Sequence, residues 1–292
     1  MRYTLRQLEV FLATAHYQNV TRAANSLAMS QSAASGALRE LEQQFGVQLF
    51  DRVGKRLRTN ELGQSLRPRA EALLEQAQEF EQTIADGSAP GHLKLGATLS
   101  IGNYLAVGMI AAFKQQFPEA EIELNVANTE TIARQVANYE LDTGLIEGEL
   151  RHPDLEVLPW RADKLVAFAA PGHPLASSSA LSDEQLLSLP WVVREQGSGT
   201  RQTFDRAMHG LLSDLDISLE LQHTEAIKRA VEAGLGVGCL SIICMQEAFA
   251  RGSLVPLNIP HRDFSRRFSI ILHRQKYRGS GLQQWLALCQ DW

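Results

Sequence analysis

The chain has 292 residues, enough for two domains with cores of their own, and its 45% apolar and 21% charged residues are those of a folded soluble protein rather than a disordered one. No apolar run approaches the roughly 18 residues of a membrane span. The opening Met1-Arg2-Tyr3-Thr4-Leu5-Arg6-Gln7 also lacks the apolar segment and small-residue cleavage site of a secretory signal, so the expectation is a cytoplasmic chain with no membrane partner. The net charge of −5 is unevenly spread: through Arg69 ten Lys/Arg stand against five Asp/Glu, which leaves a balance of −10 for the remainder. A basic head on an acidic body suggests a nucleic-acid-binding module attached to something with another task.

Taken in chain order, the first predicted element is a helix with Leu5, Leu8, Val10, Phe11, Leu12 and Ala15 on its apolar stripe. A second, short helix fits Thr21 to Leu27, and a break follows at Ala28-Met29. A third starts from Ser30, a good N-cap, presents Ala33, Ala37, Leu38, Leu41 and Phe45 inward, and stops at Gly46. Two short extended pieces then flank the basic turn Asp51-Arg52-Val53-Gly54-Lys55-Arg56. Thr59 or Asn60 caps a long helix from Leu62 to Ile84, where Leu66, Ala70, Leu73, Ala77, Phe80 and Ile84 form a seam suited to a partner helix. Gly87-Ser88-Ala89-Pro90-Gly91 is the clearest linker in the chain. Beyond it strands alternate with helices: 92–97, 121–126, 143–146, 191–193, 219–221, 237–241 and 267–273 read as strands, and 107–117, 129–139, 200–212, 225–233, 244–250 and 281–289 as helices. Such alternation predicts a mostly parallel sheet covered on both faces.

The three-helix head carries the strongest chemical signal. Thr21-Arg22-Ala23-Ala24 and Ser30-Gln31-Ser32-Ala33-Ala34-Ser35 place small residues where two helices cross closely and short polar ones at the start of the second. That is the pattern of a helix-turn-helix, with Gln31 able to read base edges and Ser30, Ser32 and Ser35 able to bond bases or phosphates. A basic run alone is usually a solvated surface; beside such a pair, Arg52, Lys55 and Arg56 read as a wing on the DNA backbone. Thr21, Arg22 and Arg39 complete the candidate DNA-binding set.

These stretches, with Leu8-Glu9-Val10-Phe11, Leu41-Glu42, Gly46-Val47-Gln48-Leu49-Phe50-Asp51-Arg52 and Thr59-Asn60-Glu61-Leu62-Gly63, resemble the LysR-type transcriptional regulators. Position 32, often Pro in that family, is Ser here. The resemblance implies a winged helix-turn-helix over residues 1–60, a linker and dimerisation helix with a hinge over 61–90, and an α/β effector-binding domain over 91–292 like a periplasmic binding protein. Its two subdomains would be about 91–162 with 267–292, and about 163–266. The partners it implies are promoter DNA, a small-molecule effector in the cleft between subdomains, further copies of the chain as a dimer or tetramer, and RNA polymerase if the protein activates.

The C-terminal part offers its own ligand candidates. Thr98, Ser100 and Ile101 follow a strand and open a helix; Asn128, Thr129 and Glu147 sit at later strand ends; Arg194, Ser198, Thr200 and Arg201 surround a Gly/Ser loop before another helix. Ligands of open α/β sheets collect at such strand ends, and loop and helix-start N–H groups favour anions. With Glu225-Ala226-Ile227-Lys228 and Gly234 to Ser241, these stretches resemble the CbbR- and YeiE-like branch of the family. The ligand's charge stays open: the hydroxyls with Arg194 or Arg201 suit a small anion such as a sulfur oxyanion or carboxylate. Glu130 and Glu147 would oppose one unless paired, which leaves a zwitterion as the other reading.

Enzyme signatures are missing. Ser198 lies in Gly-Ser-Gly-Thr rather than a nucleophile elbow, there is no phosphate-binding Walker loop and no H-E-x-x-H, and Gly234, Gly236 and Gly238 run helix-to-strand, the reverse of a dinucleotide loop. His152 and His173 read as turn residues beside prolines. Cys239, Cys244 and Cys289 have neither disulfide nor metal-ligand spacing, so no metal or cofactor is expected. A transporter's solute-binding protein and a purely architectural DNA binder are the rival readings; the basic head opposes the first and the large C-terminal domain the second.

Overall fold

A computed structural model describes residues 2–54, 56–86 and 91–292. Lys55 and residues 87–90 of the expected linker lie outside the described residues. The chain forms two compact units, Met1–Gly91 with Gln275–Gln283, and His92–Arg274 with Gln284–Trp292.

In the first unit α1 (Leu5–Tyr17) begins with a reciprocal cap. The Thr4 hydroxyl accepts from the Gln7 N–H at 3.2 Å and the Gln7 side chain accepts from the Thr4 N–H at 3.0 Å, which satisfies two end-of-helix donors at once. Helix α2 (Val20–Ser26) is capped by Asn19, and α3 (Gln31–Phe45) by Ser30 at its start and Gly46, φ +65°, at its end. Val10, Phe11, Ala24, Ala34, Leu38 and Leu41 form the core of the unit, closed by Leu49 and Phe50. The inward face of α3 is therefore Ala34, Leu38 and Leu41; Ala33 and Phe45, expected inside, are exposed, as is Leu5 on α1. The buried stripe lies one residue out of phase with the expected one at Ala33, and the last turn extends beyond the packed neighbours.

Strands β1 (Phe50–Val53) and β2 (Arg56–Thr59) pair antiparallel, and α4 (Glu61–Asp86) follows. On α4 the expected seam divides. Ala70 is buried in the head core and Leu66 packs against it, whereas Leu73, Phe80 and Ile84 are 39%, 67% and 72% exposed. Near its middle, α4 meets the C-terminal segment of the same unit. Glu79 accepts from the Tyr277 hydroxyl at 2.7 Å and the Ser280 N–H at 3.0 Å, and Lys276 pairs with Glu75.

The second unit holds a nine-stranded sheet in the order β4-β3-β5-β11-β6-β9-β7-β8, with β10 on β6. The strands are β3 (His92–Thr98), β4 (Glu121–Ala127), β5 (Thr143–Glu147), β6 (Leu155–Ala169), β7 (Pro190–Arg194), β8 (Asp216–Leu221), β9 (Val237–Ser241), β10 (Val255–Leu257) and β11 (Ser265–His273). The helices are α5 (Leu99–Ile101), which runs into a π-helical turn (Gly102–Ala106), α6 (Val107–Gln116), α7 (Thr129–Ala137), α8 (Asp183–Leu187), α9 (Gly199–Ala207), α10 (Thr224–Glu232) and α11 (Ile242–Arg251); α12 (Ser280–Asp291) belongs to the first unit through Gln283 and to the second from Gln284.

The parallel expectation holds only for β3 with β4 and β5, and for β7 with β8 and β9. The joins through β6 and β11 are antiparallel. These two long strands divide the unit into lobes: the first half of β6 pairs with β11, the second with β9 and β10. Strand β6 escapes the sequence reading because Trp160, Asp163 and Lys164 break its apolar alternation. One lobe packs around Ile132, Val136, Ile146 and Ile271, the other around Leu165, Trp191, Phe204 and Met208 on one face of its sheet and Phe168, Ile227 and Leu240 on the other.

Two glycines of the head give opposite expectations. A Cβ on Gly63 would lie 2.2 Å from the Leu49 carbonyl oxygen, while one on Gly36 meets nothing within 4 Å. Gly63→Ala should destabilise by about 1–3 kcal/mol and Gly36→Ala, within α3, should stabilise by about 0.5–1 kcal/mol. Denaturant melts of the two variants check this; equal effects would mean that the α4 start does not press on Leu49.

Candidate functional site

Two surfaces gather the candidate residues. On the first unit, Thr21, Arg22, Ser30, Gln31, Ser32 and Arg39 are exposed along α2 and α3, and Arg52 and Arg56 along the hairpin. The α2–α3 crossing is close because Ala23, Ala24 and Ala34 are the buried residues at it. Ala28 takes the left-handed φ of +52° in the connecting turn. The polar start of α3 is ordered before any partner arrives. Ser30 accepts from the Ala33 N–H at 3.2 Å, Ser30 and Ser32 hydroxyls are 3.0 Å apart, and the Gln31 amide donates to Ser35 at 2.8 Å. Asn19, which the sequence reading passed over, sets the start of α2 by accepting from the Arg22 N–H.

In the second unit the ligand candidates do not converge on one spot. Ser100, Glu147 and Thr200 meet where α5, β5 and α9 approach one another, and all three are buried, as is Thr98 two residues before Ser100. Glu147 accepts from the Ser100 N–H at 2.8 Å on Oε1 and from the Thr200 hydroxyl at 2.8 Å on Oε2. The approach of β5 to α9 that permits this depends on Gly199, where a Cβ would sit 2.0 Å from the Glu147 carbonyl oxygen.

The decisive partner is Arg266 on β11. Its Nη1 lies 2.9 Å from Glu147 Oε2 and donates to the Thr200 hydroxyl at 3.0 Å, and its Nε donates to Asp163 on β6 at 2.7 Å. The Ser241 hydroxyl donates to the other Asp163 oxygen at 2.8 Å. Burial pushes the Glu147 carboxyl up, but Arg266, Thr200 and Ser100 outweigh it and bring it down to about 2. Burial likewise lowers the Arg266 guanidinium, and Glu147 and Asp163 more than restore it. Among these elements Thr98 Oγ1, Thr224 Oγ1 and Arg266 Nη2 are buried without a hydrogen-bond partner, and Ser100 Oγ, beside the Glu147 carboxylate and the Cys244 thiol, makes no well-aligned bond.

Arg194 and Arg201, expected to support an anion, have other partners. Arg194 makes a two-pronged pair with Glu195, and Arg201 binds Asp205, Glu220 and the Arg194 carbonyl. Ser198 caps α9 by accepting from the Thr200 N–H, and Asn128 caps α7 and donates to Glu195. The Thr129 hydroxyl bridges the Glu147 carbonyl and the Gly199 N–H, and Ile101 is wholly core. Thr129 and Ser198 also line a cavity of about 750 Å³ between α7 and α9, with Glu130, Arg134, Gln196 and Gln202; Thr98, Ser100, Glu147 and Thr200 are not in its wall.

Across the cleft, the π-helical turn carries Tyr104 to α10, where its hydroxyl donates to Glu225 and accepts from Lys228, each at 2.7 Å. Cys244, at the start of α11 beside Ser100, has its thiol pushed up to about 12 by burial and stays protonated. The sequence reading missed Arg266, Asp163, Thr224 and Tyr104. A signal existed for Arg266: it falls in phase with Phe268, Ile270 and Leu272 on the alternating strand, a charge where the pattern asks for an apolar side chain. Among the described residues no His, Cys, Asp or Glu group is placed to hold a metal ion, and no helix is long and apolar enough to cross a membrane.

Removing Glu147 would leave Arg266 sharing only Asp163. Glu147→Ala should cost about 3–5 kcal/mol, the usual penalty for breaking a buried pair, and the isosteric Glu147→Gln should cost less. A carboxyl held below its unfolded value contributes stability above that value and loses it as pH falls toward the folded one. The lead of the wild type over Glu147→Gln should therefore be full above pH 4.5 and shrink as pH drops toward about 2. Urea denaturation across that range measures it, and a lead that grows in acid would overturn the assignment of Glu147 as ionised.

Comparison with known proteins adds the following. Residues 5–64 match the family described as bacterial regulatory helix-turn-helix protein, lysR family, and residues 86–292 match the LysR substrate binding domain. The chain is 43% identical over 289 residues to the uncharacterized HTH-type transcriptional regulator YeiE of Escherichia coli K12, covering 99% of this chain and 98% of that protein. Among solved structures, a full-length OxyR variant from Pseudomonas aeruginosa superimposes with a TM-score of 0.72 at 21% identity, covering 100% of this chain and 94% of that one. The Synechocystis PCC6803 CcmR regulatory domain in complex with 2-PG superimposes with a TM-score of 0.64 at 29% identity, covering 69% and 96%.

Proposed function

Because the chain belongs to the LysR family, a family of DNA-binding transcriptional regulators rather than enzymes, we propose a specific division of labour for its residues. Helix α3 enters the major groove with Gln31 on a base edge, Ser30, Ser32 and Ser35 on bases or phosphates, and Thr21, Arg22 and Arg39 on the flanking backbone. Arg52, Lys55 and Arg56 grip the backbone from the wing. The exposed Leu73, Phe80 and Ile84 of α4 support pairing with a second chain, since three large apolar side chains on one helix face are costly in water. RNA polymerase is a partner if the protein activates, and work on promoter DNA implies the cytoplasm.

For the effector-binding domain we propose a small anion, such as a sulfur oxyanion or a carboxylate, bound at the cleft base by Thr98, Ser100 and Arg266. The observation that carries this is Arg266 Nη2. A guanidinium N–H only donates, and one buried without an acceptor asks for a ligand oxygen. The orphaned hydroxyls of Thr98 and Ser100 supply further bonds. The CcmR regulatory domain, solved with 2-PG, supports a small ligand for the corresponding domain. A zwitterionic, amino-acid-like effector is the second reading, favoured by the ionised Glu147 that an ammonium group would meet. Binding would alter promoter affinity by a coupling free energy that acts equally on both ligands.

Calorimetry with sulfate, sulfite, phosphate, acetate and glycine tests the ligand class. A bound anion should weaken about 5- to 150-fold on Ser100→Ala, with ligand-free DNA affinity unchanged; equal affinity in the variant would remove Ser100 from the site. On the DNA side, Gln31→Ala should cost about 1–3 kcal/mol and relax sequence preference. Arg52→Ala should instead weaken all sequences alike and flatten the salt dependence. A selected operator bound equally well by Gln31→Ala would place another element in the groove. Leu73→Glu should shift the assembly toward monomer in light scattering, and a monomeric wild type at micromolar concentration would refute the α4 interface.

A further inference from the structure

We propose that Tyr104 is a latch between the two lobes of the second unit: its bonds to Glu225 and Lys228 hold the lobes together over the polar groups between them, and their release gives a ligand access. This holds whatever the ligand and does not depend on the anion reading.

Burial makes an opening necessary. Ser100 and Arg266 are 1% and 6% exposed, and Thr98 and Thr224 are buried with hydroxyls that have no partner. A ligand for these groups reaches them only when the lobes part.

Two kinds of join decide where they part. At α7 and α9 the join runs through backbone. The Glu130 N–H donates to the Gly197 carbonyl at 3.2 Å, the Glu149 N–H to Gln202 Oε1 at 2.7 Å, and the Gly199 N–H to the Thr129 hydroxyl at 3.2 Å. At the π-helical turn and α10 the join is between side chains. Tyr104 donates to Glu225 and accepts from Lys228, and the Lys228 ammonium stands 5.3 Å from the centre of the Tyr104 ring. Side chains release such bonds by changing rotamer, whereas the backbone bonds yield only if a helix start moves. The lobes therefore part first at Tyr104.

Both ends of the latch sit on packed supports. A Cβ on Gly102 would lie 2.8 Å from Val126 Cγ2 on β4, and Ala106 is fully buried, which fixes the turn that carries Tyr104. Ile227 anchors α10 in the core of the other lobe. Burial and the bond to Glu225 raise the Tyr104 phenol, so the proton it donates stays in place. Burial raises the Glu225 carboxyl, but Lys228 and Tyr104 outweigh it and keep it ionised.

Cys244 lies behind the latch. It is 1% exposed, beside Ser100 of one lobe and near Lys228 of its own. A buried, protonated thiol is inert, so its alkylation reports the open state and follows that state's population when closing outpaces reaction. Cys239 in the core of the second lobe and the fully buried Cys289 on α12 report wider unfolding instead.

The test is N-ethylmaleimide labelling of the native full-length protein without ligand, each cysteine being followed by peptide mass spectrometry. Tyr104→Phe, which removes only the hydroxyl, should label Cys244 at least about fivefold faster, with Cys239 and Cys289 within about twofold of wild type. Glu225→Ala should also speed Cys244. The double variant should be no more than about twofold faster than the faster single one, because both changes break one contact. An unchanged Cys244 rate in both single variants would overturn the latch. Equal acceleration of all three cysteines in Tyr104→Phe would overturn it too, making the hydroxyl a support of the whole unit. So would fully additive singles, which would show two independent contacts.

Discussion

The C-terminal unit is organised around one buried electrostatic constraint, the sharing of the Arg266 guanidinium between Glu147 and Asp163. Each charge alone would be costly to bury. Together, with the Ser100 N–H and the hydroxyls of Thr200 and Ser241, each of the four carboxylate oxygens has a partner. The partners come from β5, β6, β9, β11, α5 and α9, so the cluster fixes both crossing strands and the helix starts of both lobes at one point. The β6–β11 register places Asp163 directly opposite Arg266. Arg266 Nη2 and the Thr98 hydroxyl are left without a partner.

This arrangement changes how the ligand loops are understood. Strand ends and Gly/Ser loops in open α/β sheets attract anions because their N–H groups point outward. Here much of that capacity is taken up internally: Ser198 and Asn128 cap helices, Thr129 ties Glu147 to Gly199, and Glu147 occupies the donors of Ser100 and Thr200. An intrinsic carboxylate thus stands among groups that would hold an external one.

The N-terminal unit is built differently. Its core is small and aliphatic, closed by an edge-to-face contact of Phe11 and Phe50 at 5.7 Å. Its polar face is held by local bonds, Ser30 with Ala33 and Gln31 with Ser35. The long helix α4 serves both needs. Its first turns complete the head core through Leu66 and Ala70, and its later turns leave Leu73, Phe80 and Ile84 exposed, so one continuous heptad-like pattern has two physical meanings.

The head was legible in the sequence because its determinants are local. Helix caps, small residues at a close crossing and the 3.6-residue stripe act within a few residues of one another, and Ser30, Gly46, Ala24 and Ala34 could be read directly. The stripe differs by a residue or a turn at Leu5, Ala33 and Phe45, where neighbouring elements decide which side is covered. In the C-terminal unit local pattern placed β3, β5, α7 and α9 and brought Thr98, Ser100, Glu147 and Thr200 into consideration. It could not say which arginine would join them. Arg194 and Arg201 lie close in sequence to Thr200 but have carboxylates of their own nearby, while Arg266 arrives from a strand 66 residues away. The charge of a buried site is a sum over groups that only the completed fold assembles, and the direction of β6 and β11 is fixed by pairing across the sheet rather than by their own residues.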